Sequence, residues 1–209
     1  YGMNGMRVMV LGGYGNFGAR ICRALAADRS MELLVAGRDG GRASALVAEL
    51  NQTCGGDARA AVVDCQGPDF WQILHDQQVE LLIHTAGPFQ GQDYAVALAC
   101  AKAGVHYIDL ADGRRFVCDF ASALHAPFTA AQRVAITGAS TVPALSSAVV
   151  DALCAGWTRV DSIDICIAPA QTAPRGVATL EAVLSYCGAP IQVWRGGQWQ
   201  AQIGWGKPE

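Results

Sequence analysis

Four glycines fall within seven residues, GGYGNFG at 12–18, between the apolar run RVMVL and the helix-like segment GARICRALAAD. Glycine at that density strips a stretch of backbone of side chains, and a phosphate group is what bare amides hold best. Gly13, Gly15 and Gly18 satisfy G-x-G-x-x-G. In that spacing the first glycine permits a tight turn, the second lets a pyrophosphate approach the main chain, and the third lets helix and strand pack closely. Tyr14, Asn16 and Phe17 fill the loop between them. Glycines also mark plain turns, so the weight of the motif comes from the strand before it and the helix after it.

A second fingerprint fits the same residues. Gly12, Gly15 and Gly18 satisfy G-x-x-G-x-x-G, the pattern of short-chain-dehydrogenase-type proteins. Catalysis of that type needs a tyrosine with a lysine one helical turn later, because the cation lowers the phenol pKa for proton transfer. Tyr94, Tyr107 and Tyr186 are followed at that distance by Leu98, Ala111 and Pro190, and Lys102 and Lys207 are the lysines of the chain. That chemistry is absent from the sequence.

The next segment bears on the nucleotide. In an NAD site a carboxylate about 20 residues past the loop binds the ribose 2′-hydroxyl. Here AGRDGGR stands in that place, with Ala36 and Gly37 ahead of Arg38. A guanidinium grips a 2′-phosphate that a carboxylate would repel, so NADP is favoured. Arg42 lies one turn further on and is positioned to join it, whereas Asp39 keeps the NAD option open. Asp64 closes the third apolar run, where it is a candidate acceptor for the adenine amino group. TAGPF, 85–89, closes the fourth; Ala86, Gly87, Pro88 and Phe89 are expected beside the nicotinamide ribose. Asp109 and Asp112 follow the fifth run and face either the substrate or their own turns. No catalytic residue stands out.

These positions need a scaffold, and the texture of the chain supplies one. From Arg7 to Gly138 short apolar runs alternate with helical stretches, the pattern of a parallel sheet covered on both faces. The expectation is an α/β fold: a Rossmann-like doubly wound sheet of about six strands over 6–140, then a smaller mixed α/β domain beginning at 141–209. In that second part Pro143 opens a helix capped by Thr141, VDSIDICIAPA reads as a strand, TLEAVLSYC as a helix, and IQVWRGGQWQAQI as a hairpin. One helix and three strands make a poor core alone, so the chain is expected to stop inside this domain. Residues ahead of Met3 or Met6 read as additions to the native start.

Composition narrows the partners. Charged residues are 16% of 209, against about 25% in an average domain, and the net charge is −3. That balance offers no footprint for nucleic acid or an anionic membrane, and no apolar run spans a bilayer, so the expected partner is a small-molecule substrate. Eight cysteines form no CxxC pair and the histidines no metal spacing; buried thiols in a reducing cytoplasm are expected, with no metal. Trp194, Trp199 and Trp205 hint at a homodimer through the second domain, and a core cut short explains them equally well.

Taken together, LGGYGNFGARICRAL, VAGRD, HTAGPFQGQDYAVALACAKAGVHYIDLADG and GASTVPALSS resemble the saccharopine dehydrogenase-like NADP-binding family over 7–147. The resemblance implies NAD(P) at Gly13 to Gly18, Arg38 and Gly87 to Phe89, and an oxidoreductase moving a hydride to or from a small metabolite. Where such sequences commonly carry Thr/Ser-Gly-Glu after Y-x-D, this chain has Ala111, Asp112 and Gly113. Its scarcity of lysine speaks against the lysine–histidine pairs of lysine-forming saccharopine dehydrogenases. The alternative from another class is a dinucleotide-binding sensor or scaffold without turnover.

Overall fold

The computed structural model describes residues 5–168, 170–172 and 176–206; Met3 and Lys207 lie outside them. Six parallel strands form one sheet: β1 (Met6–Leu11), β2 (Met31–Gly37), β3 (Arg59–Val62), β4 (Leu81–His84), β5 (His106–Asp109) and β6 (Ala135–Ile136). Their order is β3-β2-β1-β4-β5-β6. β1 therefore sits between the two halves of a doubly wound sheet, with the strand order reversing beside it.

Alternation within the strands builds two cores. Met9 and Leu11 of β1 and Leu34 and Ala36 of β2 face one side, where Phe70, Leu74, Val96, Cys100 and Phe120 join them. Val10, Leu33 and Val35 face the other, against Cys22, Ala43, Leu46 and Leu50. The first side is covered by α3 (Phe70–Asp76), α4 (Ala95–Ala103) and α5 (Arg114–Ala131), the second by α1 (Gly18–Leu25) and α2 (Gly40–Cys54). A strand covered on both faces reads as a continuous apolar run, as VMVL does. Helix ends follow local chemistry: Asp39 caps α2 by accepting the Arg42 amide, and Gly55 (φ 60°) and Gly104 (φ 70°) end α2 and α4 in left-handed conformation.

Register levels the strand ends. Leu11 pairs with Ala36 on one side and His84 on the other, and His84 pairs with Asp109. Gly12, Thr85 and Leu110 consequently leave the sheet in one row, level with Gly37, the last residue of β2.

Beyond β6 the chain departs from expectation in places. A π-type turn, Thr141–Leu145, leads into α6 (Ser146–Leu153); Ser140 occupies the cap position, with no side-chain cap bond, so Thr141 is not the cap. Residues 160–168 form no strand. Ile163, Ile165 and Ile167 alternate as a strand would, yet all three are exposed and no neighbouring strand offers them a ladder. α7 (Val177–Leu184) and the hairpin of β7 (Pro190–Arg195) and β8 (Gln198–Ile203) form as expected. The hairpin touches the sheet domain through Arg114, whose amide donates to the Tyr186 hydroxyl at 3.0 Å and whose guanidinium donates to the Gln192 carbonyl. Trp194, Trp199 and Trp205 are exposed.

The thiols also differ from expectation. Cys22 and Cys100 are buried, and burial pushes the Cys22 thiol up to about 12. Cys118, Cys166 and Cys187 are exposed; Cys118 lies on the outer side of α5, whose Phe116 and Phe120 face the core. Among the described residues no helix is long and apolar enough to cross a membrane.

Candidate functional site: a dinucleotide cradle

The glycine loop assigns its tasks differently from the motif. Gly12 is the residue with positive φ, 78°, and so makes the tight turn. Its amide and that of Gly13 both donate to the Ala36 carbonyl, at 2.9 and 3.1 Å, locking the loop to β2. Gly13 is a packing glycine: a Cβ there would lie 2.8 Å from the Val10 carbonyl oxygen and 2.9 Å from Val35 Cγ1. Gly18 permits the close approach of α1, since its Cβ would strike the Gly12 carbonyl oxygen and come within 2.8 Å of Gly13 Cα. Gly15 differs from these. A Cβ on it would meet only the Gly12 carbonyl oxygen, at 3.0 Å, so its outer side is bare.

Thr85, the first residue after β4, clasps this loop. Its amide and its hydroxyl each donate to the Leu11 carbonyl at 2.9 Å. The loop that follows is braced by Gln92, whose Nε2 donates to the carbonyls of Ala86 (2.8 Å) and Pro88 (2.9 Å). Phe89 is buried in an aromatic cluster, with ring centroids 5.0 Å from His84 and 5.5 Å from Phe116. Thr85 and Gln92 escaped the sequence reading. Their only signal is a hydroxyl and an amide flanking AGPFQG, which states no partner.

Past β2, Arg38 is exposed and forms no ion pair among the described residues. Asp39 has work in the helix: Oδ1 accepts the Arg42 amide at 3.0 Å. Asp64 lies two residues beyond β3, exposed, with Oδ1 accepting the Gln66 amide at 3.0 Å. Gly37 is buried under Tyr14, whose hydroxyl accepts the Asp39 amide at 2.8 Å.

A cleft of about 140 Å³ opens where Phe17, Thr85, Pro88, Leu110, Ser140 and Thr179 converge. Thus α1, the ends of β4 and β5, the segment after β6, and α7 all border one space. Asp112 lines it too, accepting from Gln90 Nε2 at 3.0 Å. Asp109 does not. It is fully buried, and Oδ1 accepts the Ala111 amide (2.9 Å), the Gly138 amide (2.9 Å) and the Thr137 hydroxyl (2.8 Å), pinning β5 to the turn after β6. Oδ2 is buried without a hydrogen-bond partner among the described residues, and burial raises the carboxyl above its ordinary range. Beneath it, His84 Nδ1 and the Tyr107 hydroxyl share a hydrogen bond of 3.0 Å; burial lowers His84 to about 4 and raises Tyr107. Lys102 is on α4, its ammonium 3.8 Å from the Trp71 ring centroid.

Residues 8–178 match the saccharopine dehydrogenase NADP binding domain. The chain belongs to this family. NADP is accordingly its cofactor, and the cradle fits it: a loop whose Gly15 carries no side chain, and at the end of β2 an exposed guanidinium, Arg38, with no ion pair among the described residues. Among solved structures, apo saccharopine dehydrogenase (L-Glu forming) from Saccharomyces cerevisiae is similar at 17% identity and TM-score 0.57, over 71% of this chain and 30% of that one. This chain thus corresponds to 30% of the yeast protein's length, and the likeness is one of fold. A citronellol catabolism dehydrogenase from Pseudomonas aeruginosa aligns at 18% identity and TM-score 0.49, over 63% and 72% of the two chains. A short-chain dehydrogenase from Oenococcus oeni aligns at 18% and 0.47, over 66% and 81%. No curated protein sequence matches the chain.

Proposed function

We propose that this chain is the cofactor-holding part of an NADP-dependent oxidoreductase of the saccharopine dehydrogenase-like type, moving a hydride to or from a small metabolite. One observation carries the reading: the glycine loop and the Thr85–Phe89 loop leave the sheet side by side at β1 and β4, where the strand order reverses, with Arg38 at the neighbouring β2 end. Ligands of open parallel sheets bind at that reversal.

In this reading the loop of Gly13, Tyr14, Gly15, Asn16, Phe17 and Gly18 cradles the pyrophosphate, Gly15 letting it approach the backbone and the positive end of α1 facing it, while the amides of Gly13 and Gly15 hold the loop's own shape by donating to Ala36 and Gly12. Gly37, Arg38 and Asp39 border the adenosine ribose, and Arg38 takes the 2′-phosphate. Asp64 borders the adenine. Ala86, Gly87, Pro88 and Phe89 border the nicotinamide ribose. When bound, NADP supplies a hydride acceptor or donor at its nicotinamide ring. The chain's contribution is orientation and exclusion of water: Thr85 and Gln92 fix the loop, Phe89 is fixed by its ring neighbours, and Leu110 and Phe17 wall the cleft.

A second reading, a dinucleotide sensor or scaffold, draws support from the cleft itself. Among the described residues Asp112 is its ionisable lining group, and that carboxylate already accepts from Gln90. NADPH oxidation measured against a panel of carbonyl and imine metabolites separates the two. Turnover by the complete protein supports the oxidoreductase; tight NADPH binding by the complete protein with no turnover on any of them supports the sensor.

A further inference from the structure

Tyr14 stands in the glycine loop, at a position the fingerprint leaves open to any residue. Its phenol reaches across to the end of β2. A Cβ on Gly37 would lie 2.5 Å from the Tyr14 hydroxyl oxygen and 2.6 Å from Cε1, so the ring rests where only glycine leaves room. The hydroxyl accepts the Asp39 amide at 2.8 Å, which anchors the ring to the turn ahead of α2.

Arg42 is then held twice by this one residue. Its guanidinium carbon lies 4.8 Å from the Tyr14 ring centroid, and its Nη2 donates to the Tyr14 carbonyl at 3.3 Å. Arg42 is the third residue of α2, and a cation in a helix's first turn opposes the helix dipole. Helix stability therefore does not explain an arginine kept there. Asp39, the carboxylate of this turn, is aimed at the Arg42 amide as a cap. What remains is a fixed guanidinium one helical turn beyond the exposed Arg38, on the same end of the sheet.

We propose that Tyr14 is a positioning residue for coenzyme choice: it holds Arg42 so that two guanidinium groups, Arg38 and Arg42, flank a single 2′-phosphate. The inference rests on the cofactor reading above and adds to it the residue that orients the second cation, Arg42. A loose arginine loses rotamer entropy on closing over a phosphate, whereas one already held on the phenol loses less. Discrimination against NAD thus depends on a loop residue that itself need not touch the 2′-phosphate.

Calorimetric titration with 2′-AMP and 5′-AMP reads this subsite without turnover. Tyr14→Leu lowers 2′-AMP affinity about tenfold, the scale of one charge-assisted contact, and lowers 5′-AMP affinity by much less. Tyr14→Phe keeps the ring and retains most of the preference. Tyr14→Leu combined with Arg42→Ala is no worse than Arg42→Ala alone. Gly37→Ala, which crowds the phenol from beneath, reproduces the selective loss should Tyr14→Leu fail to fold. Equal weakening of both nucleotides, no weakening of 2′-AMP, or additive losses in the double variant overturns the positioning role. If the unaltered protein binds neither 2′-AMP nor NADPH, the cofactor reading fails first and takes this role with it.

Discussion

At the scale of single residues, the side chains proposed to give this site its selectivity are few. Arg38 stands out in the sequence because AGRDGGR places a cation where an NAD site keeps a carboxylate, and it is exposed just past the end of β2. Arg38→Ala is expected to weaken NADPH by about tenfold and NADH hardly at all, measured by titration of each; equal loss for both removes the 2′-phosphate assignment. Asp39 and Asp64 were legible as carboxylates near the right strand ends, but each spends an oxygen on a local amide, a contact invisible in composition. His84 was not singled out at all. It is 2% exposed and its pKa falls from 6.5 to about 4, so the unfolded chain binds the proton in that interval and the folded chain does not. Stability conferred by neutral His84 is complete above pH 6.5 and is lost as pH falls toward 4, by on the order of 3 kcal/mol. Asp109 runs the other way, its raised pKa favouring the folded state at lower pH. Denaturant melts between pH 4 and 7 check this: the slope flattens in His84→Gln, and an unchanged slope assigns the acid sensitivity elsewhere.

At the scale of elements, two glycines of one motif are expected to fail differently. Gly18 sits between backbone atoms, so Gly18→Ala forces the loop apart and costs about 1–3 kcal/mol of stability by overpacking. Gly15 has one close neighbour, the Gly12 carbonyl oxygen 3.0 Å from where a Cβ would lie, so Gly15→Val costs less stability than Gly18→Ala while blocking the approach of a pyrophosphate and abolishing NADPH binding. Parallel melts and titrations of the two variants check the distinction; identical behaviour would contradict the division of tasks within the loop. The motif alone did not reveal that division. Both fingerprints fit the string, and only the φ of Gly12 shows which glycine turns the chain. Asp109 shows the same limit. Sequence left it between substrate and turn, and three donors on Oδ1 make it the fastener of β5 to the turn after β6. Asp109→Ala strands those donors and is expected to cost about 2–4 kcal/mol, whereas Asp109→Asn keeps an acceptor and costs less, as thermal melts will read.

At the scale of the whole molecule, the six-stranded sheet was readable because each strand is an apolar run and each crossover a helix-length segment, α2 and α4 ending in a left-handed glycine. Local rules were enough there. They failed at 160–168, where the alternation of Ile163, Ile165 and Ile167 looks like a strand but pairing requires a partner edge. They also failed for juxtapositions of distant segments, such as Phe17 and Thr179 lining one cleft or Tyr14 over Gly37, because no local periodicity encodes them. The site is thus a product of register, which aligns Ala36, Leu11, His84 and Asp109 and so brings four loops to one edge. The central claim is that a phosphorylated dinucleotide lies across that edge. Isothermal titration of the folded protein with NADPH and NADH tests it most directly. The account predicts NADPH binding at least about tenfold tighter than NADH; equal affinities, or no heat from either at millimolar concentration, would contradict it.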